Sequence, residues 1–123
     1  MATVQMLEVK NLDRPEETRP LVDKGKVEIV RVGGQTVGRV TFEPGWRWSE
    51  HVKPLAGTDS CQQTHLGHCT SGRMHVRMDD GSEMEIGPGE VFSIPPGHDA
   101  WIVSDEPFVG VDFFGMEEYA KQG

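Results

Sequence analysis

Two short segments hold most of the side chains in this sequence that can bind a metal ion or a polar ligand. The first lies between Cys61 and Cys69 and contains His65. The second covers residues 87–101, where His98 follows two prolines and a glycine. Imidazole nitrogen binds zinc, iron, nickel or copper, and a cysteine thiolate favours zinc or copper(I). These residue types predict a site for a divalent metal ion.

The spacing within the first segment places its polar side chains on one side. In an extended strand, Cys61, Gln63 and His65 alternate with their neighbours and share a face. Buried polar groups cost several kcal/mol unless they are paired or bound to a metal. If that face points into the protein, a metal site explains it. On one strand Cys61 and Cys69 would lie roughly 26 Å apart, too far for a disulfide, so free thiols are expected.

Further residues complete the expected site. His51 is the third candidate metal ligand beside His65 and His98, with Cys61 as a possible fourth. A ligand pocket next to the metal is predicted from four residues: Gln63, Trp48, Phe92 and Trp101. Aromatic side chains would cover the apolar side of a small molecule. No distinct general base stands out, so the sequence predicts no catalytic residue.

The elements that must position these residues are strands. From residue 26 onward, short β-branched and aromatic segments alternate with turn signals such as Gly33-Gly34 and the run 79–82. Residues 46–52 are another extended candidate. About ten short strands with almost no helix predict an all-β sandwich or barrel, including the double-sheet jelly roll. Residues 1–25 are predicted as a polar N-terminal arm with an edge strand over 4–9, residues 26–123 as the barrel domain, and residues 116–121 as a short C-terminal helix.

Two motifs resemble those of the cupin superfamily. Residues 89–97 are similar to the second cupin motif, a glycine followed by five residues and then Pro-x-Gly. Ser71-Gly72 resembles the end of the first motif, and Gly45, five residues before His51, resembles its beginning. The resemblance covers roughly residues 36 to 114. It implies a small cupin-type double-stranded β-helix, commonly a homodimer, with one divalent metal held by three histidines and a glutamate.

The ligand positions of this sequence depart from that pattern. Counted back from Gly72, the usual glutamate position holds His65, and the two usual histidine positions hold Cys61 and Asp59. The histidine position of the second motif holds Ala100, two residues after His98. Residues two apart on a strand point to the same side, so His98 can enter the barrel at a shifted height. The resemblance therefore implies the fold together with a nonstandard ligand set.

The composition restricts the class of partner. The chain has 123 residues with 20 acidic and 12 basic side chains, a formal charge of −8. Its lysines and arginines form no basic stripe, so nucleic-acid binding is not expected. No apolar run approaches the ~20 residues that span a bilayer, and a cytoplasmic protein with no membrane partner is expected.

Two functions remain open from the sequence. The first is a metal-dependent cupin enzyme, a dioxygenase, isomerase or lyase, acting on a small organic molecule. The second is a cupin that binds a small molecule without metal or catalysis, as a sensor or storage module. Phosphate loops, dinucleotide fingerprints and nucleophile elbows are absent from the sequence, so the corresponding enzyme classes are set aside.

Overall fold

The computed structural model describes residues 6–117 and 119. Antiparallel strands dominate it, in chain order β1(Glu17–Pro20), β2(Gly25–Val32), β3(Gln35–Phe42), β4(His65–Ser71), β5(Met74–Met78), β6(Glu83–Ile86), β7(Val91–Ile94), β8(His98–Ile102) and β9(Phe108–Asp112). Two single-turn helices, α1(Trp48–His51) and α2(Lys53–Ala56), lie between β3 and β4. The all-β jelly-roll prediction is confirmed. None of the helices in the described residues is long and apolar enough to cross a membrane.

The strands form two sheets around one core. The larger sheet has the order β1-β2-β3-β9-β4-β7, and the smaller has the order β6-β5-β8. Both contribute buried side chains to the same hydrophobic cluster, including Ile29, Phe42 and Phe108 from the larger sheet and Val76 and Ile102 from the smaller. The alternation of strand residues produces this arrangement, since every second side chain faces inward.

Two motif glycines adopt backbone conformations that other residues rarely tolerate. Gly97, with φ of 94°, forms the turn that leads into β8 and His98. Gly72, with φ of 77°, follows β4, and a Cβ there would collide with the carbonyl oxygen of Pro107. The glycines that carry the cupin resemblance therefore shape the two turns nearest the strands of the site.

Residues 46–52 do not form the extended segment that the sequence predicts. Trp48–His51 forms α1, and the carboxylate of Asp99 accepts a hydrogen bond from the backbone N–H of Ser49 at 3.1 Å. The backbone N–H of Arg47 donates to the ring Nδ1 of His51 at 3.0 Å. These contacts satisfy amide groups at the start of the helix, which have no partner within it.

The N-terminal part of the chain belongs partly to the larger sheet. Glu17–Pro20 pairs with β2 as its edge strand, and residues 6–10 lie outside any strand. Pro20 has no N–H to donate, which an edge position tolerates. The predicted strand over 4–9 extends into residues 1–5, outside the described residues. Most of the predicted C-terminal helix is also outside them, and Met116, Glu117 and Tyr119 lie in turns.

A buried arginine joins the two ends of the described chain. Arg19 is 3% exposed and donates from Nη1 to the carbonyl oxygens of Met116 at 2.6 Å and Tyr119 at 2.8 Å. Its Nε contacts the Glu17 carboxylate at 2.7 Å. We call this set of contacts the Arg19 clasp. It holds Met116 and Tyr119 against the interior of the barrel.

Candidate metal centre

Three of the four predicted ligands come together inside the barrel. The ligand atoms of Cys61, His65 and His98 all lie within 4.8 Å of one another, and all three residues are buried. We call this group the Cys-His-His cluster. Cys61 and His98 form an isolated antiparallel bridge, with the Cys61 N–H donating to the His98 carbonyl at 2.7 Å. Because residues opposed in this way project to the same side, the backbone pairing brings their side chains together.

His65 reaches the cluster from the first position of β4. His65, Gly67 and Cys69 are buried, while Leu66 and Thr70 are exposed, as the predicted alternation requires. The Nε2 atom of His65 lies 3.6 Å from Cys61 Sγ. Cys69 is buried elsewhere in the core, and both cysteines are free thiols.

Each histidine of the cluster is anchored through its other ring nitrogen. His65 Nδ1 lies 2.6 Å from Oδ2 of the buried Asp112, and His98 Nδ1 lies 2.8 Å from the carbonyl oxygen of Pro95. The carbonyl of Pro95 can only accept, so Nδ1 of His98 carries the hydrogen and Nε2 is the nitrogen left for the cluster. The Asp112 carboxylate likewise holds Nδ1 of His65, so that Nε2 of His65 is directed at Cys61. Metal-binding histidines almost always have such a partner.

The electrostatics of the cluster favour an ionised cysteine. Burial disfavours the thiolate, but hydrogen bonds and charge interactions with His65 and His98 lower the pKa of Cys61 to about 6. Burial also disfavours the imidazolium of His65, yet Asp112 and the Cys61 sulfur raise the pKa of His65 to about 9. The Cys61 sulfur is therefore available as a thiolate near neutral pH, the form that binds metals.

A small cavity lies beside the cluster. The centres of water molecules can occupy about 30 Å³ of it, room for about two waters. Its walls are mainly apolar, and they include Val40, Phe42, Trp46, Trp48, His65, Met74, Phe92, Ile94, His98, Ala100, Phe108, Asp112, Met116 and Tyr119. Burial, followed by the charges of Cys61 and Asp112, raises the pKa of Tyr119, so its phenol stays protonated.

The remaining predicted site residues divide between the cavity and the surface. Trp48 and Phe92 line the cavity. Gln63 instead lines a surface hollow near Phe113, and Trp101 lies on the outer side of β8. There the Trp101 ring stacks on His75 with centroids 4.8 Å apart, and the Arg47 guanidinium sits 4.3 Å above it. Strand alternation separates Trp101 from its inward neighbours.

The structure does not bring His51 into the cluster. His51 is buried on α1, and its Nδ1 accepts the backbone N–H of Arg47. Its Nε2 lies 4.0 Å from the Glu50 carboxylate. The single turn of helix replaces the extended segment that would have carried its side chain inward.

Asp112 and Tyr119 are site residues that the sequence reasoning missed. The Tyr119 ring lies edge-on to the His65 imidazole, with centroids 5.2 Å apart. On β9, Asp112 faces the same side as the buried Phe108 and Gly110, and an acidic residue on the inward side of a strand indicates a functional site. In the sequence, however, the opposite side of this strand carries Val109 and Val111 and is equally apolar. The inward side cannot therefore be chosen from the sequence.

Solved structures resemble this chain over most of its length. A protein of unknown function (DUF1255) from Acidithiobacillus ferrooxidans has a TM-score of 0.60 at 16% identity, covering 90% of this chain and 96% of its own. KdgF from a Halomonas species has a TM-score of 0.57 at 17% identity, covering 81% and 88%. A cupin-like protein from Thermotoga maritima has a TM-score of 0.52 at 19% identity, covering 76% and 70%.

No protein-family model matches the sequence, and no curated protein matches it either. At these identities the similarity concerns the fold alone. The chain has a small cupin fold, as the two sequence motifs implied, and the fold encloses a buried group suited to a divalent metal.

Proposed function

We propose that this cupin-fold protein binds one divalent metal ion through Cys61 Sγ, His65 Nε2 and His98 Nε2, and uses it as an enzyme on a small organic molecule. The observation that carries the proposal is the anchoring of both histidines at Nδ1 by Asp112 and Pro95. That anchoring leaves the opposite ring nitrogens facing the same sulfur, and a metal ion would bind there by displacing the proton that His65, with its pKa raised to about 9, carries at neutral pH.

The donor set favours zinc over iron, nickel or copper. One thiolate with two imidazoles is a mixed sulfur and nitrogen set, and zinc enzymes commonly use three such ligands with one open position. An ion held there supplies Lewis acidity, which polarises a bound oxygen or lowers the pKa of bound water. Zinc has no redox chemistry, so isomerase or lyase activity fits this donor set better than dioxygenase activity.

The protein residues have separate tasks in this proposal. Asp112 and the Pro95 carbonyl fix the imidazole rings, and the Cys61 thiolate contributes negative charge to the ion. The apolar walls, including Trp48 and Phe92, exclude bulk water from the cavity, which strengthens electrostatic interactions inside it. Tyr119, the single tyrosine of the chain, is protonated and close to His65, and its phenol is suited to donate a hydrogen bond to a bound molecule.

The second candidate is a ligand-binding barrel without metal. The 3.6 Å contact between Cys61 Sγ and His65 Nε2 favours it, because a thiolate and an imidazolium satisfy each other without an ion. The two candidates differ in one measurable property, which is stoichiometric metal.

Metal analysis of the full chain, purified without a histidine tag, tests the proposal. We expect one zinc per chain, lost in His65→Ala and His98→Ala and retained in the matched surface variant His75→Ala.

Cobalt loading should give a thiolate charge-transfer band that disappears in Cys61→Ser and persists in Cys69→Ser, since Cys69 is equally buried but lies outside the cluster. Bound metal should also raise thermal stability by linkage. Protein that takes up no zinc or cobalt, and whose stability is unchanged by chelators, would contradict it.

A further inference from the structure

Two buried tryptophans in the cavity wall have hydrogen-bond donors with no acceptor. Trp46 and Trp48 are 1% and 2% exposed, and both line the cavity beside His65 and His98. Neither indole nitrogen has a hydrogen-bond partner among the residues that the structure describes. Native proteins rarely leave a buried donor unpaired, since the donor has lost its water without replacing it.

The cavity wall offers these indoles no free carboxylate. Asp112 Oδ2 is engaged by His65, and Asp112 Oδ1 accepts the backbone N–H groups of Leu66 and Phe114 at 3.3 and 3.0 Å. Most other lining residues are aliphatic or aromatic. The described residues therefore give the two indoles no acceptor, and the cavity that both tryptophans line is where another molecule can provide one.

We propose that the cavity binds the carboxylate of a small organic acid, with the N–H groups of Trp46 and Trp48 donating to its oxygens. The inference deepens the proposed function and rests on it for a second anchor, the open coordination position of the metal. It assigns the two indoles as specificity-determining groups for acceptor-only ligands.

Donor count distinguishes a carboxylate from other small groups. A carboxylate has two oxygens and several lone pairs but no hydrogen to donate. An amide or an alcohol brings a donor, for which the cavity wall offers mainly the Asp112 oxygens, each already engaged at least once. A carboxylate needs no acceptor from the wall, whereas an amide must compete for these oxygens.

The size of the cavity agrees with a single carboxylate. The room for about two waters matches the three heavy atoms of a carboxylate group. Formate and acetate are therefore suitable probes.

Nuclear magnetic resonance of the indole groups tests the inference directly. The chain contains three tryptophans, so zinc-loaded protein with ¹⁵N-labelled tryptophan gives three indole signals, assigned with single Trp→Phe variants. We expect formate and acetate to shift the signals of Trp46 and Trp48, leave that of Trp101 unchanged, and saturate at one ligand per chain. Acetamide, the neutral match to acetate, should bind at least about tenfold more weakly.

Binding calorimetry with variants measures the contribution of each donor. Trp46→Phe and Trp48→Phe should each weaken acetate binding about tenfold to hundredfold, the range for a hydrogen bond to a charged group, and Trp101→Phe should not. If a phenylalanine variant fails to fold, benzothienylalanine at the same position keeps the ring shape and replaces the N–H by sulfur. Equal acetate affinity in the wild type and both variants would overturn the inference.

The same titration of metal-free protein separates this inference from the metal proposal. Indole shifts without metal would support the carboxylate site even if no zinc binds. Stoichiometric zinc with unshifted indoles at saturating acetate would leave the metal site standing and overturn the carboxylate site, with water then filling the cavity. Unshifted indoles in protein that binds no zinc overturn it as well.

Discussion

A histidine lies together with one or more tryptophans on each side of strand β8, but the two groups are in opposite situations. On the inner face, His98 lies in the cavity wall with Trp46 and Trp48. On the outer face, Trp101 stacks on His75 beneath the Arg47 guanidinium. Each face therefore combines histidine with tryptophan.

The difference lies in what the ring nitrogens contact. His75 has one nitrogen 2.7 Å from Glu83 and the other 3.6 Å from Glu85, both on the neighbouring strand β6. His98 has Nδ1 engaged by the Pro95 carbonyl, and the ring belongs to the Cys-His-His cluster rather than to a pair of carboxylates. The comparison teaches that a buried imidazole that meets a thiol, rather than the presence of histidine, marks the binding face.

The largest expected effect contrasts adjacent residues on the two faces. Ile102→Ala removes a buried core side chain and should lower the free energy of unfolding by about 2–5 kcal/mol. Trp101→Ala removes the outer stack and should cost only about 1 kcal/mol. Urea unfolding of both variants checks this. Equal costs would mean that the outer stack belongs to the structural core.

Next in size is the loss of an imidazole anchor. Asp112→Asn weakens the acceptor for His65 Nδ1 and should reduce zinc affinity about 10- to 100-fold, as for other partners of metal-binding histidines. The matched change Glu83→Gln, at the partner of His75, should leave the affinity unchanged. Competition with a chromophoric chelator measures both. Similar losses of zinc affinity in the two variants would contradict the assignment of the metal site to the inner side of β8.

A smaller effect follows from protonation of the Cys61 thiolate inside the barrel. The pKa of Cys61 is lowered to about 6, so its thiolate takes up a proton as the pH falls through that value. His65, with its pKa raised to about 9, already carries a proton across this range, so zinc affinity should fall by about tenfold per pH unit above pH 6. Below about pH 6 the Cys61 proton should add a further tenfold per unit. Apparent zinc constants between pH 5 and 8 test this expectation, and a slope that does not steepen below about pH 6 would exclude Cys61 as a ligand.

The smallest effect belongs to the outer ion pairs of the Arg19 clasp. Arg19 and Arg31 lower the pKa of Glu17 to about 2, from a usual value of 4.5. A lowered carboxyl pKa stabilises the fold above about pH 4.5, and this contribution is lost as the pH falls toward 2. Glu17→Gln should therefore cost less than about 1 kcal/mol at pH 7, with the difference closing between pH 4.5 and 2. Thermal unfolding across that range measures it, and a gap that widens in acid would contradict this explanation.

Local sequence patterns were sufficient for the fold and for half of the site. The glycine frame 89–97 and the alternation from His65 to Cys69 depend on short-range rules of turns and strands, and both hold in the structure, whereas Gln63 lies before the strand and faces a surface pocket. His65 and His98 followed from them. Residue types suited to a divalent metal were thus visible in the sequence of the two segments.

Long-range contacts account for what the sequence did not reveal. His51 was expected on an extended segment, but Asp99, about fifty residues away, accepts an amide hydrogen bond that supports helix α1. Trp46 and Trp48 alternate like strand residues, and both are buried, although a turn and a helix carry them. Asp112 joins His65 from a strand whose two sides are equally apolar, so no local rule could select its inward face.

The Arg19 clasp also has a consequence for the order in which the molecule is assembled. Arg19 binds carbonyl groups 97 and 100 residues further along the chain, so a ribosome makes the arginine long before its partners. Contacts of such large sequence separation are entropically costly and close late. We therefore expect the wall formed by Met116 and Tyr119 to be placed late, so that the cavity beside His65 and His98 stays open on that side until the clasp closes.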